Sequence, residues 1–189
     1  MPEKTRESGV DSLGEFFRLS GQLKRVPRSG WVEVGVDSPE SVAEHTFRTA
    51  IFCMIFSDLE GLDKLKMLQM ALLHDLPEVI TGDLTPSEKT EEAMQLEDIA
   101  MKQLLNLLPV RLRERYLKIW LEYAECKTRE ARAVRELEKL EMALQAREYE
   151  KAQPSLKELE RFIESADRVI KSPEVRKLLS CILDSVVER

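Results

Sequence analysis

The segment Ala71-Leu72-Leu73-His74-Asp75-Leu76-Pro77-Glu78 decides how this chain is read. An imidazole and a carboxylate stand side by side where an apolar helical pattern ends. Pro77 cannot continue a helix and disfavours helical backbone just before it. A charged pair at the end of a buried helix is costly unless something pairs with it, and a metal cation is the simplest partner. His45, the other of the two histidines, follows Glu44 inside a second helical pattern. Imidazole nitrogen and carboxylate oxygen together suit manganese, iron, cobalt, nickel or zinc better than calcium or magnesium. Taken singly, His45 also reads as a satisfied helix histidine, and His74 as a C-terminal one favoured by the helix dipole. The apolar run before the doublet favours the metal.

Working outward, the spacing is helical almost throughout. Leu13, Phe16, Phe17, Leu19 and Leu23 recur three and four apart and line one helical face. A basic loop broken by Pro27 and Gly30 follows and carries Trp31, and 32–36 reads as an extended connection. Ser38-Pro39-Glu40 has the order of a helix start, with a serine cap, proline in the first position and an acid in the first turn. That start predicts a helix over 39–59 ending at Gly61, and Asp63 then caps a helix over 64–75. Thr81 to Pro86 is a turn-rich loop. Further helices are predicted over 92–108, 109–123, 127–150, 155–171 and 173–187. Pro109, the region near Cys126, Pro154 and Pro173 separate them. No repeat or linker divides the chain, so the expectation is one all-α domain.

The bulk numbers narrow the function classes. With 189 residues, 43% of them apolar and 34% charged, the chain is long enough to close one sizeable core. Its net charge of −6 disfavours a polynucleotide partner, which a basic field would attract. A small phosphorylated metabolite drawn to a local metal stays open. Cys53, Cys126 and Cys181 form no CxxC pair and read as reduced thiols of an intracellular protein. The longest apolar stretch, around Ala50 to Phe56, is too short to span a bilayer, and the charged N-terminus lacks a secretory pattern. These features predict no membrane partner and a cytoplasmic location.

Three ordered motifs, Ser41-Val42-Ala43-Glu44-His45, His74-Asp75-Leu76-Pro77-Glu78 and Thr81-Gly82-Asp83-Leu84-Thr85-Pro86, resemble those of the HD-domain 5′-deoxynucleotidases. The later run Leu140 to Ala146, closing with Glu148-Tyr149-Glu150, is similar to that family as well. The resemblance runs from about Leu13 to Glu150. It implies a single HD-type helical bundle over 13–187, with the metal-site core over about 39–150. It also implies a homodimeric phosphatase that takes deoxynucleoside 5′-monophosphates and uses one divalent transition metal such as cobalt or manganese.

By resemblance the metal ligands are His45, His74, Asp75 and a carboxylate on the late helix. The family carries aspartate at that last position, where this chain has Glu138, with Glu141 as the fallback one turn on. Glu78 and Asp83 correspond to the catalytic carboxylates. Outside the resemblance, Glu78 reads as a first-turn acid and Asp83 as a turn residue. Trp31 and Thr85, with Asp83, fall at substrate-binding positions, and Trp31 is either a lid over the nucleoside or a plug in the core. Where the bacterial enzymes carry an arginine before that tryptophan, this chain has Gly30, so Arg25 or Arg28 supplies the charge. Arg48 and Lys89 are further phosphate candidates. The alternatives are another HD-type nucleotide phosphohydrolase, or a helical scaffold that kept the fold and lost the metal.

Overall fold

The computed structural model describes residues 3–184, all of whose regular elements are helical. In chain order they are α1 Glu3–Ser20, a 3-10 turn Gly21–Arg25, α2 Ser29–Glu33, α3 Val42–Glu60, α4 Lys64–Leu73, α5 Glu78–Thr81 and α6 Glu91–Asn106. Then follow α7 Val110–Glu125, α8 Arg129–Ala152, α9 Glu160–Val169 and α10 Pro173–Asp184. The expected all-α class holds. The last residues of the predicted 173–187 helix and domain lie outside the described residues.

Two starts differ from the sequence reading. The helix expected from Pro39 begins at Val42, capped by Ser41. Ser41 Oγ accepts from the Glu44 N–H while the Glu44 carboxylate reaches back to the Ser41 N–H, a capping box. Ser38, Pro39 and Glu40 are lost to the helix because the backbone there pairs elsewhere. Arg28 N–H donates to the Glu40 carbonyl (2.9 Å), and Val42 N–H donates to the Val26 carbonyl (2.9 Å). The 32–36 segment is not extended either. A helical turn over Ser29–Glu33 closes it, and the chain reverses at Gly35 in the left-handed region, φ 78°. The helix expected from residue 155 starts at Glu160.

Gly61 and Asp63 act as expected. Gly61 takes φ 63° to end α3, and the Asp63 side chain accepts from the Lys66 N–H. The α1 stripe is partly right: Leu13, Phe16 and Leu19 pack inward beside buried Leu23, whereas Phe17 is exposed.

Position of the site follows from the core. α3 packs against α4 on one side and α8 on another, which buries His45, Thr49, Ala50 and Cys53 while another face stays exposed. Met67, Met70 and Ala71 of α4 are fully buried, each large apolar side chain contributing about 1.5–3 kcal/mol. They fix the end of α4, and Trp120 of α7 donates from Nε1 to the His74 carbonyl (3.4 Å). Three rigid helices therefore converge at one depth.

Candidate metal centre

α3 presents His45, the end of α4 presents His74 and Asp75, and α8 lies across them. Both imidazoles are buried. His45 Nδ1 faces the Glu141 carboxylate at 2.5 Å, and His74 Nδ1 faces the Ala71 carbonyl at 2.7 Å. A carbonyl and a carboxylate only accept, so each Nδ1 carries the hydrogen and each Nε2 turns its lone pair toward the other ring. The two Nε2 atoms lie 3.4 Å apart. Asp75 Oδ2 stands 3.0 Å from His74 Nε2 and 3.8 Å from His45 Nε2. Ligand atoms about 2.1 Å from one ion at tetrahedral or octahedral angles are separated by roughly 3.0–3.4 Å. His45, His74 and Asp75 thus fit a single divalent cation in donor type and orientation; two of the three separations fall in that range and the His45–Asp75 one, at 3.8 Å, is a few tenths wider.

The electrostatics agree. Burial and the Arg28 guanidinium push His45 below its ordinary range, keeping the imidazole neutral as a ligand must be. Burial opposes charge on His74 too, but Asp75 outweighs it and raises that imidazole. A proton on His74 Nε2 therefore competes with a cation for the same point. Asp75 is held ionised: burial opposes the charge, and His74, Arg28 and His45 overcome it.

Asp75 also faces a cavity of about 460 Å³, walled by Arg28, Trp31, Glu78, Asp83, Thr85, Lys89 and Glu138. Arg28 Nη1 lies 3.3 Å from Asp75 Oδ2 and 3.7 Å from Asp83 Oδ1. Burial disfavours that guanidinium charge, yet Asp75, Asp83, Glu78 and Glu138 together hold it. Asp83 is anchored to α2, accepting from the Ser29 N–H at 2.5 Å, while Ser29 Oγ donates to the Asp83 carbonyl at 2.7 Å. Glu78 is 3% exposed and its Oε2 has no hydrogen-bond partner. Burial, then Asp75 and Asp83, push its carboxyl up to about 10.

The HD-domain family model matches residues 20–176 of the chain. This chain belongs to the HD-domain family. An HD-domain relative, the 5′-deoxynucleotidase HDDC2 of Homo sapiens, is 41% identical over 174 residues, 91% of this chain and 85% of the relative. A conserved hypothetical protein from Pyrococcus furiosus superposes with a TM-score of 0.74 at 32% identity, covering 90% of this chain and 98% of that one. A protein from Pyrococcus horikoshii OT3 superposes at 0.72 with 36% identity, covering 91% and 96%. The likeness read from the motifs thus extends over nearly the whole chain.

Within this HD-domain site, several residues sit where the sequence did not place them. Glu138 lines the cavity, but its Oε2 accepts from Tyr123 Oη (2.7 Å) and its Oε1 from Lys139 Nζ (2.9 Å), so it stands apart from the three-residue cluster. The fallback, Glu141, holds the outer face of His45 and accepts from Arg48 Nε at 2.8 Å. Arg48 is turned to α8 rather than to phosphate, gripping Gln145 and Glu148 as well. Arg25 is exposed and does not line the cavity, which leaves Arg28 as the loop cation there.

Trp31 is 1% exposed and fixed on all sides. Its Nε1 donates to Glu40 Oε1 (3.0 Å), and Tyr149 and Phe162 pack on its ring. It is a wall and not a mobile lid. Thr85 is buried at the cavity edge, with Oγ1 donating to Glu88 (2.8 Å). Lys89 lines the cavity near Glu97, at 3.6 Å. Sequence reasoning missed Tyr123, Lys139 and the whole α9 flank. Nothing local marks a helical tyrosine as packing on His74, or a helical lysine as lining the cavity.

Proposed function

We propose that this chain is a metal-dependent 5′-deoxynucleotidase that hydrolyses deoxynucleoside 5′-monophosphates to deoxynucleosides and phosphate. One observation carries the reading. The His45, His74 and Asp75 cluster meets, through Asp75, a cavity of mononucleotide size that also holds a half-buried arginine and a buried carboxyl with an unpartnered oxygen. The naming of the human relative supports the same reaction. A bound divalent transition metal, cobalt or manganese in this reading, supplies Lewis-acid polarisation of the phosphoryl group and acidifies water.

The protein's own residues do the rest. Arg28 meets the phosphate dianion with a charge fixed by Asp75 and Asp83, and Lys89 adds a second positive group from the next loop. Asp83, pinned by Ser29, keeps Arg28 aligned and faces the substrate edge. Glu78 holds a proton on a carboxyl aimed into the cavity, and that proton passes to the departing 5′ oxygen or is exchanged with the attacking water. Trp31 and Thr85 close the sides around the sugar. Glu138 is the fourth ligand in this reading. Lys139 and His74 keep it ionised against burial, and with His45, His74 and Asp75 it would hold the metal.

A homodimer fits the surface of α3. Phe47, Ile51, Met54, Ile55 and Leu59 form one exposed apolar stripe, 69% exposed at Phe47 and 74% at Leu59. Light scattering should give twice the 21.8 kDa chain mass, and a monomer at micromolar concentration would contradict this. A cytoplasmic setting is part of the proposal, supported by free Cys53, Cys126 and Cys181; among the described residues no helix is long and apolar enough to cross a membrane. The deciding assay is phosphate release from a panel of deoxy- and ribonucleoside monophosphates with cobalt or manganese. Release from the deoxy series, abolished by EDTA, is expected. No release from any of them would refute the activity.

A further inference from the structure

The far wall of the cavity is made by α9, which the metal chemistry does not use. Ile163 and Ala166 anchor that helix in the core, leaving Phe162 on the flank that lines the cavity. The Phe162 ring is held in place. Trp31 packs on it with centroids 4.1 Å apart, and Gly30 lies so close that an added Cβ would meet Phe162 Cε1 at 2.9 Å. The Arg161 guanidinium stands 5.0 Å from the ring centroid and is itself fixed by Glu33 across the cavity mouth, at 2.7 Å. The ring is half-buried, and its remaining surface is cavity wall.

We propose that Phe162 is the nucleobase platform of this site: the base of the substrate packs against the part of its ring that lines the cavity, beside the Arg161 guanidinium that stands over the ring, and Gly30 leaves room for the ring itself. The inference rests on the nucleotidase reading above. It follows from arrangement and chemistry. The phosphate end is set by Asp75, Arg28 and Lys89 on α4 and the two loops. A nucleoside held by its 5′ carbon must project away from them, and α9 carries the half-exposed aromatic ring of the lining, Trp31 being almost fully enclosed. Every base has a π face, so stacking accepts all four bases without reading their edges. The chain thereby gains broad base acceptance.

The test uses the cobalt-loaded full chain and Phe162→Leu, which keeps an apolar group against Trp31 and removes the ring. KM for dAMP should rise about tenfold, the scale of one base–aromatic stack. Inhibition by deoxyadenosine should weaken by a similar factor, while inhibition by inorganic phosphate stays unchanged. Phe162→Tyr, which keeps the ring, should retain wild-type KM. Equal weakening toward phosphate would show a general disturbance of the site and overturn the platform, as would an unchanged KM for dAMP. If the wild type hydrolyses no nucleotide, the nucleotidase reading fails first and the platform with it. If the wild type is active and Phe162→Leu matches it, only the platform fails.

Discussion

Glu78 shows what a single buried carboxyl costs and supplies. Its pKa is pushed up to about 10 by burial, Asp75 and Asp83, against 4.5 for the free side chain. Between those values the folded protein keeps a proton that the unfolded chain gives up, so stability falls as pH rises through that window. Gln has the same shape and no proton to release. At pH 7, Glu78→Gln should therefore stabilise the EDTA-treated protein by up to about 3 kcal/mol while removing activity. Denaturant melts at several pH values check this, and a variant less stable than the wild type at pH 8 would contradict it. His74 runs with the opposite charge. Asp75 raises it above the ordinary imidazole range, so a proton opposes metal binding until the pH passes that raised value. Metal affinity should weaken by about tenfold per pH unit on acidification below it. Competition titrations with a coloured chelator would show the slope, and a flat profile between about pH 5.5 and pH 8 would exclude His74 as a ligand.

Helix ends and helix contacts decide where those side chains stand. α3 begins at Ser41 rather than at Pro39, although Ser38-Pro39-Glu40 carries a serine, a proline and an acid in the order of a helix start. Pairing of Arg28 with Glu40 and of Val42 with Val26 removes that segment from the helix, and such long-range pairing has no local signature. Ser41→Ala should cost about 1 kcal/mol, a Tm drop of roughly 2–4 °C, while Ser38→Ala leaves Tm unchanged. Calorimetry separates the two, and the reverse ranking would restore the earlier start. Between elements, Glu141 of α8 fixes His45 of α3 through Nδ1. Glu141→Gln offers the imidazole a neutral acceptor in place of a charge. Metal affinity should fall by about 10–100-fold with helix content unchanged, measured by calorimetric titration. Unaltered affinity would show that Glu141 is mere packing.

At the scale of the molecule, the sequence disclosed the chemistry better than the walls around it. The His-Asp doublet, Glu78 and Asp83 are consecutive in short motifs, so their meeting at one point needs only the bend after α4. His45, on a different helix, was found because histidines are so few. Glu141, Tyr123, Lys139 and Phe162 were not assigned their places. Each sits on a helix whose pattern fixes an inward side but not its rotation about a neighbour, and only tertiary packing settles that. The same limit explains Trp31, whose aromatic type suits a lid and a core equally. It is a core wall because Tyr149 and Phe162 enclose it.

The account depends on one cation being shared by His45 of α3 and by His74 and Asp75 at the turn that ends α4. Diffraction from cobalt-loaded crystals at the cobalt absorption edge tests it most directly. A single anomalous peak is expected, within about 2.3 Å of His45 Nε2, His74 Nε2 and an Asp75 oxygen. A map with no peak at that point, or with the cobalt bound elsewhere while both imidazoles keep these positions, would contradict it.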